Sequence, residues 1–343
     1  MEGHITRVFP GNNSAEGFFS FYRSGLAAAE RVYILKGGPG TGKSTLLRAI
    51  ATALAERGYD VELWQCSSDN NSLDGVLIPR LGCAVVDGTA PHTVDPLYPG
   101  AVEEIVNLGD YWDSAKLREK ATEIRALTDE IGGIFAEVYQ KLGQAGARAR
   151  EYDKRREAPD AARLAAAGKR LQSELFGSAP ARTRHLFGGA ITPEGVVDCR
   201  PELARGCKRR YYLCGNGAET LLREVIAAAE QRDLPIDIFH GALLPESIDM
   251  VLLPTLDCAV LAVEQAPAKT GGNDVLIELP AGSVPGGFEL LGTRDELIAE
   301  AVTLLDRAHR AHDRLEVFYR RAMDFERSSA LRDDLLRRIL QQG

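Results

Sequence analysis

Little in the sequence would take the chain out of water. Its longest apolar runs, such as MVLLP and CAVLAV, are broken by Pro254 and Asp257 and fall far short of a bilayer span. The opening MEGHITRVF lacks the basic-then-apolar shape of a secretory signal. The six cysteines form no CxxC pair, and Cys83 and Cys258 sit inside apolar strand-like runs. They read as reduced, buried packing residues rather than zinc ligands or disulfides. Positive charge is not in excess either: the formal net charge is -8 and the pI about 5.4, which argues against general nucleic-acid or anionic-membrane binding. A cytoplasmic protein with no membrane partner is expected.

What is present is an ordinary globular composition, 45% apolar and 26% charged over 343 residues, enough for two domains. Internal similarity organises it. The stretch RVYILKGGPGTGKSTLLRAIATALAERGYDVELWQ lies on RRYYLCGNGAETLLREVIAAAEQRDLPIDIFH. Leu35 falls on Leu213 at an offset of 178, as do Phe9 on Phe187, Gly11 on Gly189 and Glu16-Gly17 on Glu194-Gly195. After a three-residue gap in the second copy, an offset of 175 holds through Thr45 on Thr220, Ser72 on Ser247, Asp74 on Asp249 and Cys83 on Cys258. The chain is a tandem duplication, divided here as 1–176 and 177–343, with FGSAPART after Leu175 as the linker.

Each copy reads as strand, loop, helix, strand, loop and strand: 32–36, 60–65 and 83–87 in the first, 211–214, 236–240 and 258–263 in the second. This alternation predicts an α/β fold with parallel sheets and right-handed crossovers. Residues 113–175 and 295–340, rich in Ala, Arg, Glu and Leu, read as long helical segments after each sheet.

Gly37, Gly38, Pro39, Gly40, Thr41, Gly42, Lys43 and Ser44 fit GxxxxGK[ST], after an apolar strand and before a helix. Glycines there let successive backbone N–H groups point inward at an anion, aided by the helix N-terminus. Lys43 is expected on the β- and γ-phosphates, Ser44 on Mg2+ and Thr45 near the α-phosphate. Asp87, ending the strand CAVVD, is the matching metal-side acid. No Glu follows Asp87, so a fast ATPase is not expected. A guanine-reading Asn/Thr-Lys-x-Asp is also missing, which favours ATP over GTP.

The second copy lacks this chemistry. CGNGAET replaces the loop, Ala242 to Pro245 face Ser67 to Asn70, Ala262 faces Asp87, and Ala268 stands near the position of His92. Loops after parallel strands converge at one sheet edge, so the joint loss implies a single competent site, in the first copy. Apolar matches and the retained Ser72-x-Asp74/Ser247-x-Asp249 pair read as structural, the latter as a cap on the following turn. Asp69 is the candidate to orient water or an acceptor hydroxyl, with an Asx turn as the plain alternative. His92 could touch phosphate. Arg209 and Arg210 are nominal candidates to reach across a domain interface. His309, His312 and Glu316 share a helix face that could bind metal but reads better as solvated.

LKGGPGTGKST, CSSDNNSLDGVLIP, VVDGTAPHTVDPLYPGAVEEIVNLGDYWD and RHLFGGAITPEGVV together resemble a bacterial family of tandem-repeat P-loop ATPase-like proteins, over nearly the whole chain. The resemblance implies ATP binding and hydrolysis without an established substrate. It also implies a P-loop in both halves, from which this chain departs at Cys214 to Thr220. The leading expectation is therefore a slow Mg-ATPase coupling hydrolysis to rearrangement of the halves. A kinase with the CSSDNN loop as acceptor site and RAREYDKRRE, from Arg148, in its lid is the second. A nucleotide-sensing module that binds a protein through its helical tails is the third.

Overall fold

The computed structural model describes residues 2–175, 182–267, 271–282 and 284–341. In the first repeat the elements run β1 (Ile5–Val8), β2 (Gly11–Ser14), β3 (Gly17–Ser20), α1 (Tyr22–Gly25), β4 (Arg31–Lys36), α2 (Lys43–Ala55), β5 (Val61–Gln65), β6 (Leu73–Ile78), β7 (Cys83–Asp87), β8 (Glu103–Asn107), α3 (Ser114–Glu119), α4 (Ala121–Arg155) and α5 (Ala161–Leu175). The second continues with β9 (Arg182–Phe187), β10 (Gly189–Thr192), β11 (Gly195–Asp198), α6 (Arg200–Arg205), β12 (Arg209–Cys214), α7 (Ala218–Glu230), β13 (Pro235–His240), β14 (Ile248–Leu253), β15 (Cys258–Val263), β16 (Asp274–Glu278), α8 (Gly287–Ala322) and α9 (Phe325–Leu340). Phe176 to Ala181, most of the expected linker, lie outside the described residues.

The two six-stranded sheets have the same order, β1-β5-β6-β7-β4-β8 and β9-β13-β14-β15-β12-β16. That identity of topology follows from the duplication. The expected all-parallel sheet needs correction: β6 runs antiparallel to both β5 and β7, and β14 to both β13 and β15. β5, β6 and β7 are linked by short connections that fold straight back, which antiparallel pairing permits and a parallel crossover does not.

Alternation along each strand builds two faces. On β4, Val32 and Ile34 enter a core shared by both repeats, with Trp64, Phe187, Phe239 and Met250. Tyr33 and Leu35 enter a second core under α2 with Leu47, Ile50 and Leu54, whose spacing gives that helix its apolar stripe. The pseudo-twofold relation is visible where equivalent residues pair: Phe9 and Phe187 exchange backbone hydrogen bonds of 3.1 and 2.9 Å. Asn13 of β2 likewise donates to the carbonyl of Ile191 at its own repeat offset, 3.2 Å.

The helical tails cross between repeats. Lys141–Glu300 and Arg314–Glu130 ion pairs fix α4 antiparallel to α8, around Ile134, Val138, Leu142, Ala301, Leu305 and Ala308. α5 of the first repeat packs on α7 of the second, burying Leu171 and Leu175. α9 of the second repeat returns to α2 of the first, burying Leu335 and Ile339. Much of the apolar surface that the tails could offer a partner is thus engaged within the chain. None of the helices among the described residues is long and apolar enough to cross a membrane.

Candidate functional site

The loop between β4 and α2 turns through Gly37, Gly38, Pro39, Gly40, Thr41 and Gly42 before the helix starts at Lys43. Gly40 and Gly42 take φ of +68° and +89°, values that side chains resist and glycine accepts. Thr41 Oγ1 donates to the Gly38 carbonyl at 2.8 Å. Lys43 bends back over the loop, its Nζ donating to the carbonyls of Gly37 and Gly38 at 2.9 and 2.8 Å. The same Nζ lies 3.5 Å from Asp87 Oδ2. β7 is the parallel neighbour of β4, with Leu35 opposite Asp87, so the ladder itself brings this acid to the loop. Ser44 Oγ accepts the Leu73 N–H at 3.0 Å, and Thr45 is exposed on the first helical turn.

Two residues complete a buried cluster. Asp74 on β6 and His92, beyond β7, are 5% and 7% exposed. His92 Nδ1 lies 3.7 Å from Asp74 Oδ2, and its Nε2 lies 3.9 Å from Asp87 Oδ2. These are ionic rather than hydrogen-bonding distances, and His92 Nε2 is buried without a hydrogen-bond partner. The ring is held between Tyr22, stacked at 5.3 Å, and Phe18 at 6.0 Å. Burial works against the imidazolium, but Asp74 and Asp87 outweigh it and raise the His92 pKa. Burial also raises Asp74, offset in part by His92. For Asp87, burial is outweighed by His92 and Lys43, which hold it at about 2. Asp87 is thus kept ionised.

The donor set fits a divalent cation in two ways. Ser44 and Asp87 offer oxygen alone, which suits Mg2+. Asp74, Asp87 and His92 can each place a ligand atom within 4.8 Å of the others, and a nitrogen donor in that set suits a transition ion.

Several expectations change. Ser72-x-Asp74 is not a cap of the next turn: Asp74 belongs to the cluster, and Ser72 Oγ donates to Asp69 Oδ2 at 2.5 Å. Asp249 survives in the second repeat for another reason, 3.4 Å from Arg200 Nη1. Asp69 accepts from Ser72 and from the Asn71 N–H at 2.9 Å; it stabilises its own turn, the plain alternative. Arg210 is held by Asp274 at 2.6 Å, and Arg209 is exposed on its strand. His309 pairs with Asp313 at 3.9 Å and His312 with Glu316 at 3.6 Å along α8, and His312 feels the charge of Lys43. Motif reading missed Asp74 and Tyr22, whose proximity to His92 comes from tertiary packing.

It also missed the roof. The last turns of α8, from the second repeat, lie on the glycines: a Cβ at Gly38 would strike the Tyr319 ring, and one at Gly40 would meet the Glu316 carbonyl at 2.9 Å and Arg320 Cγ at 3.1 Å. Arg320, paired with Glu316, is the arginine that the fold brings to the loop from the other repeat.

The degenerate loop of the second repeat is filled by protein. A Cβ at Gly217 would meet Leu164 at 2.6 Å and Pro159 at 3.1 Å, and Asn216 Nδ2 donates to the Glu157 carbonyl at 2.6 Å. The α4–α5 connection thus packs directly on this loop.

Comparison with protein-family models, curated proteins and solved structures gives no match for this chain.

Proposed function

We propose that the first repeat binds a Mg2+–nucleoside triphosphate, ATP in the absence of a guanine signature, and hydrolyses it slowly while the two repeats shift against one another. The observation that carries this reading is the 3.5 Å approach of Lys43 to Asp87 at the ends of adjacent parallel strands, beside a glycine-rich helix N-terminus. Backbone N–H groups of Gly38 and of 40–44, Pro39 having none, and the Lys43 ammonium hold the phosphates. Ser44 and Asp87 would hold Mg2+, which neutralises phosphate charge when bound. His92, its Nε2 unpartnered beside Asp87, is the group placed to orient a water, with Asp74 fixing its ring. No Glu follows Asp87, in keeping with slow turnover. Coupling between repeats rests on α8, whose end covers Gly38 and Gly40. The resemblance to tandem P-loop proteins points the same way.

The test is phosphate release from Mg-ATP by the full chain beside Lys43→Ala. Release by the wild type, lost in the variant, supports the proposal. Binding without release transfers support to the kinase and sensor readings; the absence of both binding and release refutes a nucleotide site.

A further inference from the structure

We propose that the planar base of the nucleotide sits in a cavity of about 610 Å³ beside the glycine-rich loop, lined from both repeats. The proposal rests on the nucleotide reading above. One wall comes from the segment after β8, with Tyr111, Trp112 and Lys116; the other is the α8–α9 joint, with Met323, Phe325 and Arg327.

Topology gives the direction. β4 carries the loop and lies between β7 and β8. Asp87 at the end of β7 fixes the metal and the terminal phosphates on that side. The nucleoside must then extend across the end of β4 toward β8, whose continuation is the first wall of the cavity. Contact is continuous along that path. Leu108 packs on Gly37, Tyr319 covers Gly38 and meets Trp112 at a ring separation of 5.8 Å, and the Phe325 ring reaches within 3.5 Å of a Cβ at Gly42.

The walls are fixed to each other and carry groups suited to a base. The Asp113 N–H donates to the Ala322 carbonyl at 2.9 Å, and the Asp324 N–H to the Tyr111 carbonyl at 2.8 Å. Phe325 is 47% exposed, an uncovered aromatic face of the kind on which bases stack. The Arg327 guanidinium lies over Tyr111 at 5.7 Å. The second repeat supplies an internal control. Its corresponding joint, between α4 and α5, closes directly on the degenerate loop through Pro159, Leu164 and Asn216. Over the intact loop the α8–α9 joint stands further off at the equivalent glycine, the Phe325 ring lying 3.5 Å from a Cβ at Gly42 against 2.6 Å for Leu164 at Gly217.

Calorimetric titration of the full chain with Mg-ATP and with Mg-tripolyphosphate separates base from phosphate. The wild type is expected to bind both, ATP more tightly. Phe325→Ala, at a half-exposed position, is expected to weaken ATP roughly 5- to 150-fold, as for one lost aromatic–base stack, and to leave tripolyphosphate unchanged. The chain has two tryptophans, and Trp64 is fully buried in the shared core, so quenching by ATP and not by tripolyphosphate reports Trp112; Trp112→Phe should abolish that signal. Equal affinities for the two ligands, unchanged by Phe325→Ala, would overturn the base cavity while leaving the phosphate site standing. Binding of neither would remove the nucleotide reading and this proposal together.

Discussion

Replacing His92 by Gln tests whether the buried cluster is held by charge. Asp87, moved from 3.8 to about 2, contributes about 2 kcal/mol to stability at neutral pH, and His92 and Lys43 share that effect. Losing His92 forfeits part of it and leaves Asp74 and Asp87 facing each other in a buried site. A destabilisation of about 1–2 kcal/mol is expected where both charges exist. The pH window follows from the signs. Asp87 has a lowered folded pKa, so its stabilisation is present above the unfolded value of 3.8 and lost as pH falls through about 2. His92 has a raised folded pKa, so its stabilisation is present below the unfolded value of 6.5 and lost as pH rises through the raised value. Asp74 is raised and opposes folding once the unfolded chain ionises above 3.8, more so without the imidazolium. The penalty should therefore peak between about pH 4 and pH 6.5 and shrink on either side. Urea unfolding of both proteins in EDTA at pH 3, 5.5 and 9 measures it, with equal m-values as the check on two-state comparison. A penalty that is constant across pH would refute the charge argument and assign His92 to packing between Tyr22 and Phe18.

Arg184 is 4% exposed and bridges Glu62 of the first repeat, at 2.8 Å, to Asp237 of the second, at 2.9 Å. Among the described residues, Arg184→Leu leaves Glu62 with only the Trp64 indole N–H at 2.8 Å and Asp237 with only Arg182 at 3.5 Å, and should cost about 3 kcal/mol in urea unfolding, largely recovered on adding Glu62→Gln and Asp237→Asn. Asn216→Ala removes the bond to the Glu157 carbonyl and should cost about 1 kcal/mol. Calorimetry should show its nucleotide affinity unchanged, because the second loop is filled; a weakened affinity would mean that the second repeat takes part in binding.

Legibility divided along physical lines. The glycine loop, α2 and the strands before and after them announce themselves through local rules: positive-φ glycines, a 3.6-residue stripe at Leu46, Leu47, Ile50 and Leu54, and short apolar runs. The duplication also carries topology, since a second copy in one register must build a second sheet of the same order. β6 did not read as a strand because Asp74 and Gly75 interrupt its apolar run, yet all six residues of LDGVLI are buried. Comparison of the copies misread Asp74, because the same residue type persists in both for different partners: His92 in one repeat and Arg200 in the other. The helix exchange was hidden for a deeper reason. A stripe such as Leu335 and Ile339 specifies that a face will be buried, not which sheet will bury it.

That exchange explains how one chain can keep an intact loop and a degenerate one. Were each repeat self-contained, loss of the second phosphate site would leave a dispensable domain. Instead, α9 of the second repeat buries Leu335 and Ile339, neither exposed, in the core beneath α2, each worth about 1.5–3 kcal/mol. The end of α8 lies against Gly38 and Gly40. The second repeat can therefore lose its own loop without releasing the first from it. The loss is moreover compatible with its own fold, because the α4–α5 connection supplies Pro159, Leu164 and the Glu157 carbonyl where an anion would otherwise be needed to satisfy the loop. The two loops thus pose the same packing problem. In the second repeat Leu164 and Pro159 close on the glycine before the helix; in the first the end of α8 covers Gly38 and Gly40, and the α8–α9 joint leaves a cavity lined by Trp112 and Phe325.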